Sequence, residues 1–291
     1  MTEVSTPTDQ GAPGRFALAK PQTDTIIVGF DSAWTDSSKV PGAICAIAFD
    51  KLGKAEFLIP RLVSFSQALE FIDQLKQEFS LCLVTLDQPT IVPNKNGSRP
   101  VEKVAASVIS FVGGGVQPSN RSKIGMFDDD APVWSFKLEL DAIEDPEASR
   151  SSQSGLFLVE VFPALALTGL NESFSQRLGA PKYNPQNRKK FQLKDWQAVA
   201  STVAGHARAL EVLELSDWAS NMRQLAAPTK SDQDCLDASI CALVGLIWRT
   251  CDNGCSTIIG DTVTGYMVTP ISQQTRSRLE LAAASKRVPI T

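Results

Sequence analysis

Apolar residues along this chain fall into short blocks, and the spacing inside each block separates strands from helices. Thr25 to Phe30 is a compact apolar run rich in β-branched residues, which predicts a first strand. Ala43 to Phe49 and Ala55 to Ile59 read as two more, joined by a hairpin turn over Asp50-Lys51-Leu52-Gly53-Lys54. From Phe65 to Phe79 the period changes: Phe65, Ala68, Leu69, Ile72, Leu75 and Phe79 recur at helical spacing. Leu81 to Leu86 is apolar at nearly every position, as expected of a strand covered on both faces of a sheet. Right-handed crossover rules place this fourth strand parallel to the first and close to it.

The pattern then loosens. A helix around Val101 to Phe111 ends at Gly113-Gly114-Gly115, and Asp128-Asp129-Asp130 and Ala148 to Ser154 read as turn or loop. Gly155 to Phe162 restores a strand, stopped by Pro163. A polar, basic stretch from Lys182 to Lys194 precedes helical patterns around Asp195 to Leu213 and Asp232 to Arg249. Ser256 to Ile259 and Tyr266 to Val268 are the last strand-like pieces. This order predicts a flexible leader over residues 1–24 and one α/β domain over 25–270, carrying an irregular insertion at about 113–154. Residues 271–291 form a tail, helical or frayed.

Composition narrows the function classes. The 291 residues are 43% hydrophobic, enough for a substantial core. None of the apolar runs approaches the roughly 20 residues of a membrane span. The amino terminus lacks the basic-then-apolar pattern of a secretory signal, so the expected location is cytoplasmic. Cys45, Cys82, Cys235 and Cys241 sit in apolar runs and read as small buried hydrophobes. Cys251 and Cys255 are close in sequence, but no second pair or suitable histidine follows to complete a zinc site. A net charge of −4 argues against broad electrostatic binding to long nucleic acid, though not against a nuclease with a local basic rim.

Candidate chemistry comes from acids set against apolar elements. Asp31 and Asp87 directly follow the first and fourth strands, Glu160 lies near the end of the strand beginning at Gly155, and Asp234 and Asp237 are one turn apart on the long late helix. If the first and fourth strands are parallel neighbours, their carboxyl ends open on one edge, and a packed helix can deliver Asp234 and Asp237 there. Unpaired buried carboxylates are costly, and divalent ions are their usual compensation. Two ions about 4 Å apart could activate a water and stabilise the leaving oxygen of a phosphodiester. Hard oxygen ligands favour Mg²⁺, with Mn²⁺ a plausible substitute. The plainer alternatives are turn chemistry for post-strand aspartates and helix capping by Asp232 or Asp234. Asp237 resists these readings best because it lies inside the helix. Glu160 could instead face solvent from an edge strand.

The pieces Gly29-Phe30-Asp31, Leu86-Asp87-Gln88-Pro89, Glu160-Val161-Phe162-Pro163 and Asp234-Cys235-Leu236-Asp237-Ala238 resemble, in this order, the DUF429 family. Arg99-Pro100 with Glu102, and Lys182-Tyr183-Asn184-Pro185, are similar to that family's connecting segments, so the likeness runs from about Thr25 to Pro270. The family is often described as predicted nucleases of the RNase H-like superfamily. The resemblance implies an RNase H-like mixed five-stranded sheet flanked by helices, with a large insertion and an acidic metal centre. In the Holliday-junction resolvase branch of that superfamily, acids follow the first and fourth strands and a DxxD pair sits on the last helix. Asp31, Asp87, Asp234 and Asp237 match this order. Where many members have a Gly-rich segment with arginine after the first Asp, this chain has Ser32-Ala33-Trp34.

Substrate contacts are expected from Lys182, Tyr183, Arg188, Lys189 and Lys190, which could position a phosphate backbone, or form a solvated loop. Arg99 is the better anion contact near Asp87. Asn120 to Lys123 reads as lid or exposed loop, and His206 as structural. The leading expectation is metal-dependent phosphodiester hydrolysis of nucleic acid, structured or single-stranded, at Asp31, Asp87, Glu160, Asp234 and Asp237. Two alternatives stand beside it: a non-catalytic RNase H-like binding protein, and a nucleotide-dependent phosphotransferase or hydrolase. The last lacks a visible P-loop, since Gly113-Gly114-Gly115 has no following GK[ST].

Overall fold

A computed structural model describes residues 24–251 and 254–291. The leader expected over 1–24 lies, apart from Asp24, outside the described residues. Three strands come first, β1 (Thr25–Asp31), β2 (Gly42–Phe49) and β3 (Ala55–Val63). Helix α1 (Phe65–Leu75) leads to β4 (Leu81–Leu86), followed by α2 (Pro100–Ile109), α3 (Pro132–Leu140), α4 (Pro146–Ser151) and β5 (Gly155–Glu160). The chain continues through α5 (Pro163–Leu170), α6 (Glu172–Ser175), α7 (Leu193–Ala209), α8 (Leu213–Arg223) and α9 (Lys230–Thr250). It closes with β6 (Ser256–Asp261), β7 (Gly265–Pro270) and α10 (Gln273–Lys286).

The first five strands form one mixed sheet in the order β3-β2-β1-β4-β5. β1 pairs antiparallel with β2 and parallel with β4, and β4 pairs parallel with β5. Strand alternation splits the core in two. Ile27, Cys45, Leu83 and Val159 pack with α7 and α9 on one face, whereas Ile26, Val28, Ile44 and Val84 pack with α1 and α3 on the other. Burial on both faces explains why β1, β2 and β4 read as continuous apolar runs. A third core joins α2, α5, the β6–β7 hairpin and α10. Through it residues 271–291, expected as a tail, become part of the folded unit, with α10 capped by Ser272 accepting from the Thr275 N–H.

Local signals account for most boundaries. Ser64 and Gln67 form a reciprocal capping box at α1, and Thr229 and Asp232 form another at α9. Asp232 is therefore the residue engaged in capping, and Asp234 lies beyond it. Some elements differ from the sequence expectation. β3 extends through Pro60 to Val63, which an edge strand tolerates because its outer N–H groups need no partner. The stretch 113–154, read as irregular, contains α3 and α4, both entered through proline at the first helical turn. The helix read over Asp195 to Leu213 stops at Ala209, and Glu211 at φ 59° turns the chain into the separate α8. No helix among the described residues is long and apolar enough to cross a membrane.

Candidate functional site

β1 and β4 run in register from Thr25–Leu81 to Phe30–Leu86. The Asp87 N–H extends this ladder by donating to the Phe30 carbonyl at 2.9 Å, so Asp31 and Asp87 emerge together at one sheet edge. Helix α9 reaches that edge because Gly29 leaves room for it. A Cβ on Gly29 would lie 2.1 Å from the Ala238 carbonyl oxygen and 2.4 Å from the Ala242 nitrogen, so strand and helix meet backbone to backbone. The Thr85 hydroxyl lies 3.0 Å from the Val28 carbonyl and 2.8 Å from that of Cys241, tying β1, β4 and α9 at the same level. Asp237, next to Ala238, is thereby carried over the strand ends.

Asp31, Asp87, Asp234 and Asp237 all line one cleft of about 890 Å³. Asp31 and Asp87 are half-buried, while Asp234 and Asp237 are buried. Burial, followed by the charges of Asp237, Asp87 and Asp234, pushes the Asp31 carboxyl well above the usual range, against the opposing pull of Lys230. Asp87 is likewise held well above it, by burial and then by Asp237 and Glu160. Burial raises Asp237 from an ordinary 3.8 to about 6. The increase is limited by the Tyr183 hydroxyl, donating to Oδ1 at 2.7 Å, by Lys230, and by Gln233 Nε2, donating to Oδ2 at 2.9 Å. The phenol of Tyr183 is itself pushed well up, by burial and by Asp237.

Lys230, in the first turn of α9, forms an ion pair with Asp234 four residues on. Burial works against its ammonium, but the bond to Asp234 and the charges of Asp31, Asp234 and Asp237 prevail and raise its pKa. Lys230 and Gln233 were missed in the sequence. Their signal was helical spacing: each precedes a site aspartate by four residues, on the same face.

Glu160 and Arg99 are brought together rather than left for other partners. Arg99 Nη1 and Nη2 donate to Glu160 Oε2 and Oε1 at 2.8 and 2.6 Å, and its Nε donates to Glu102 Oε1 at 2.8 Å. All three side chains are buried. Burial raises the Glu160 pKa, while Arg99 and the Thr90 N–H oppose the rise. Both oxygens of Glu160, expected as a metal ligand, are thus engaged by Arg99, whose guanidinium is not directed at a substrate anion. The network forms one wall of the cleft.

The basic segment divides. Tyr183 reaches Asp237, but Lys182 Nζ donates to the Gly113 carbonyl at 3.0 Å, and Arg188, Lys189 and Lys190 are exposed outside the cleft lining. Asn120 and Arg121 are pinned to the 92–97 loop: Asn120 Nδ2 donates to the Gly97 carbonyl and Arg121 Nε to that of Val92. His206 contacts the Leu170 carbonyl at 2.7 Å, and burial lowers its pKa.

Among the described residues, no group of three His, Cys, Asp or Glu side chains is placed to hold a metal ion. The donor set nevertheless suits a hydrated hard cation, which takes carboxylate oxygens and commonly keeps several waters beside one or two protein ligands. Beyond burial, Asp237 raises both Asp31 and Asp87, and Asp87 raises Asp31, while Lys230 lowers both.

Comparison with known proteins gives a match to the family described as protein of unknown function (DUF429), over residues 29–264. No curated protein and no solved structure matches the chain.

Proposed function

This chain belongs to the DUF429 family, and from its site we propose a divalent-metal-dependent phosphodiesterase acting on nucleic acid, built on an RNase H-like sheet. The observation that carries the reading is the meeting of Asp31, Asp87 and Asp237 at one cleft edge, where Asp237 raises the proton affinity of the other two. Such a site gains most from a bound cation. The RNase H-like assignment is supported by the mixed five-stranded sheet, by acids at the last residue of the first strand and directly after the fourth, and by a DxxD pair on a helix packed against β1.

In this reading one or two carboxylates drawn from Asp31, Asp87, Asp234 and Asp237 would hold a hydrated Mg²⁺ or Mn²⁺. When bound, the ion supplies Lewis-acid polarisation of a phosphoryl oxygen and a water of lowered pKa. The protein's own groups do the rest. Tyr183 and Gln233 fix both oxygens of Asp237 and so set its orientation. Lys230, whose side chain keeps 38% exposure beside Asp234, brings positive charge to the cleft for a phosphate. Arg99, pairing Glu160 with Glu102, braces the wall between β5 and α2, giving Glu160 a supporting role.

The test is cleavage of labelled single-stranded, duplex, hybrid and branched nucleic acids with Mg²⁺ or Mn²⁺, comparing wild type with Asp31→Asn and Asp237→Asn. Metal-dependent cleavage in the wild type, lost in both folded variants, is the expected result. Cleavage unchanged in both variants, or absent throughout, would overturn the proposal.

A further inference from the structure

The loop between β1 and β2 places Trp34 three residues beyond Asp31, on the rim of the acidic cleft. Its indole remains 42% exposed, unlike the buried Trp196 and Trp248. One side is fixed: Trp34 meets the ring of Phe127 at 5.4 Å between centroids and 85° between planes. Phe127 is 1% exposed and is held through its backbone, its N–H donating to the Lys123 carbonyl at 3.0 Å while Arg121 Nη1 donates to the Phe127 carbonyl at 3.3 Å. The indole therefore rests against a buried ring and leaves part of its surface exposed where it lines the cleft. Lys39, exposed on the same loop, also lines it.

An aromatic surface, a basic side chain and an acidic centre lining one cleft match one unit of a polynucleotide. The flat ring takes a base, and the cation takes a backbone phosphate. Base pairs inside a duplex have both faces covered by their neighbours, so this surface selects a strand whose bases are free to unstack. We propose that Trp34, supported by Phe127, is a stacking platform for an unpaired nucleobase, so that the cleft takes single-stranded rather than continuous duplex nucleic acid. The proposal deepens the phosphodiesterase reading, on which its placement beside the acids rests.

The test is binding rather than turnover. Fluorescein-labelled ten-nucleotide strands of deoxythymidine and of uridine, a ten-unit abasic deoxyribose-phosphate strand and a ten-base-pair duplex are titrated with the full chain in EDTA, followed by anisotropy. Trp34→Ala should weaken binding of the base-bearing single strands about tenfold or more. Trp34→Phe should retain most of the affinity, and the abasic strand should bind both variants as it binds wild type. Thermal midpoints within a few degrees establish that the rim substitutions leave the fold intact. Equal affinity of Trp34→Ala and wild type overturns the platform, as does equal loss on the abasic strand, tighter binding of the duplex, or no binding of any strand by the wild type. Cleavage by the same proteins with Mn²⁺ is scored separately. Base-dependent binding without cleavage leaves the platform standing and removes the phosphodiesterase reading; cleavage without a Trp34 effect does the reverse.

Discussion

Replacing Asp237 by Asn should stabilise the metal-free protein at neutral pH while abolishing its proposed activity. In the folded chain burial raises this carboxyl from 3.8 to about 6. At ~1.4 kcal/mol per pH unit the rise corresponds to about 3 kcal/mol. Because the folded form binds the proton more tightly than the unfolded form, the stability due to this group is fully present below pH 3.8. It is lost as pH rises through about 6. Asparagine never ionises and escapes that loss. Its oxygen can accept from Tyr183, and its amide would face Gln233, whose buried Oε1 lacks a hydrogen-bond partner. Removing the charge also relieves Asp31 and Asp87, both of which it raises, so their contribution has the same sign. Urea unfolding of both proteins in EDTA, from pH 4 to 8.5, should show the variant gaining about 3 kcal/mol on wild type across the window and then levelling off. In thermal scans this is about 6–12 °C, at about 2–4 °C per kcal/mol for a chain of this size. A difference that stays flat with pH, or a variant less stable than wild type at pH 8, would refute the account of Asp237 as an uncompensated buried charge.

Gly29→Ala should cost about 2–4 kcal/mol in urea unfolding, because the added Cβ must displace the α9 backbone, and Mn²⁺-dependent thermal stabilisation should fall with it. Arg99→Met should cost about 3–5 kcal/mol by leaving Glu160 and Glu102 buried without their cation. Arg99→Met combined with Glu160→Gln should recover part of that loss in the same assay, and no recovery would remove the pair from the argument. Tyr183→Phe deletes a hydrogen bond that stabilises the Asp237 carboxylate, so the pH window of stability loss should move upward in the unfolding series.

Much of the sheet was readable because its strands carry their own signature. Continuous apolar runs at Thr25 to Phe30 and Leu81 to Leu86 mark strands buried on both faces, and the hairpin turn at Asp50 to Lys54 fixes the antiparallel pair. The crossover rule then sufficed to set β4 beside β1. The segment 113–154 and α8 were not readable in this way. Their helices are short and begin at proline or at a left-handed turn, and tertiary contacts rather than periodicity sustain them. In the site, Asp31, Asp87, Asp234 and Asp237 stood out as acids against apolar elements, whereas Lys230 and Gln233 resembled any polar first turn of a helix.

The sequence by itself determined which residues could become strands of a covered sheet and which acids would stand at their ends, because period and charge are local properties. Tertiary structure decided the pairings. Arg99 looked free to meet an anion, yet folding places both carboxylate oxygens of Glu160 against it. Tyr183 and Lys182 are neighbours in the chain, but one reaches Asp237 and the other the Gly113 carbonyl. Such choices depend on which distant groups share the same desolvated space. The cost of leaving a buried polar group unpaired is set by that space, and no spacing along the chain encodes it.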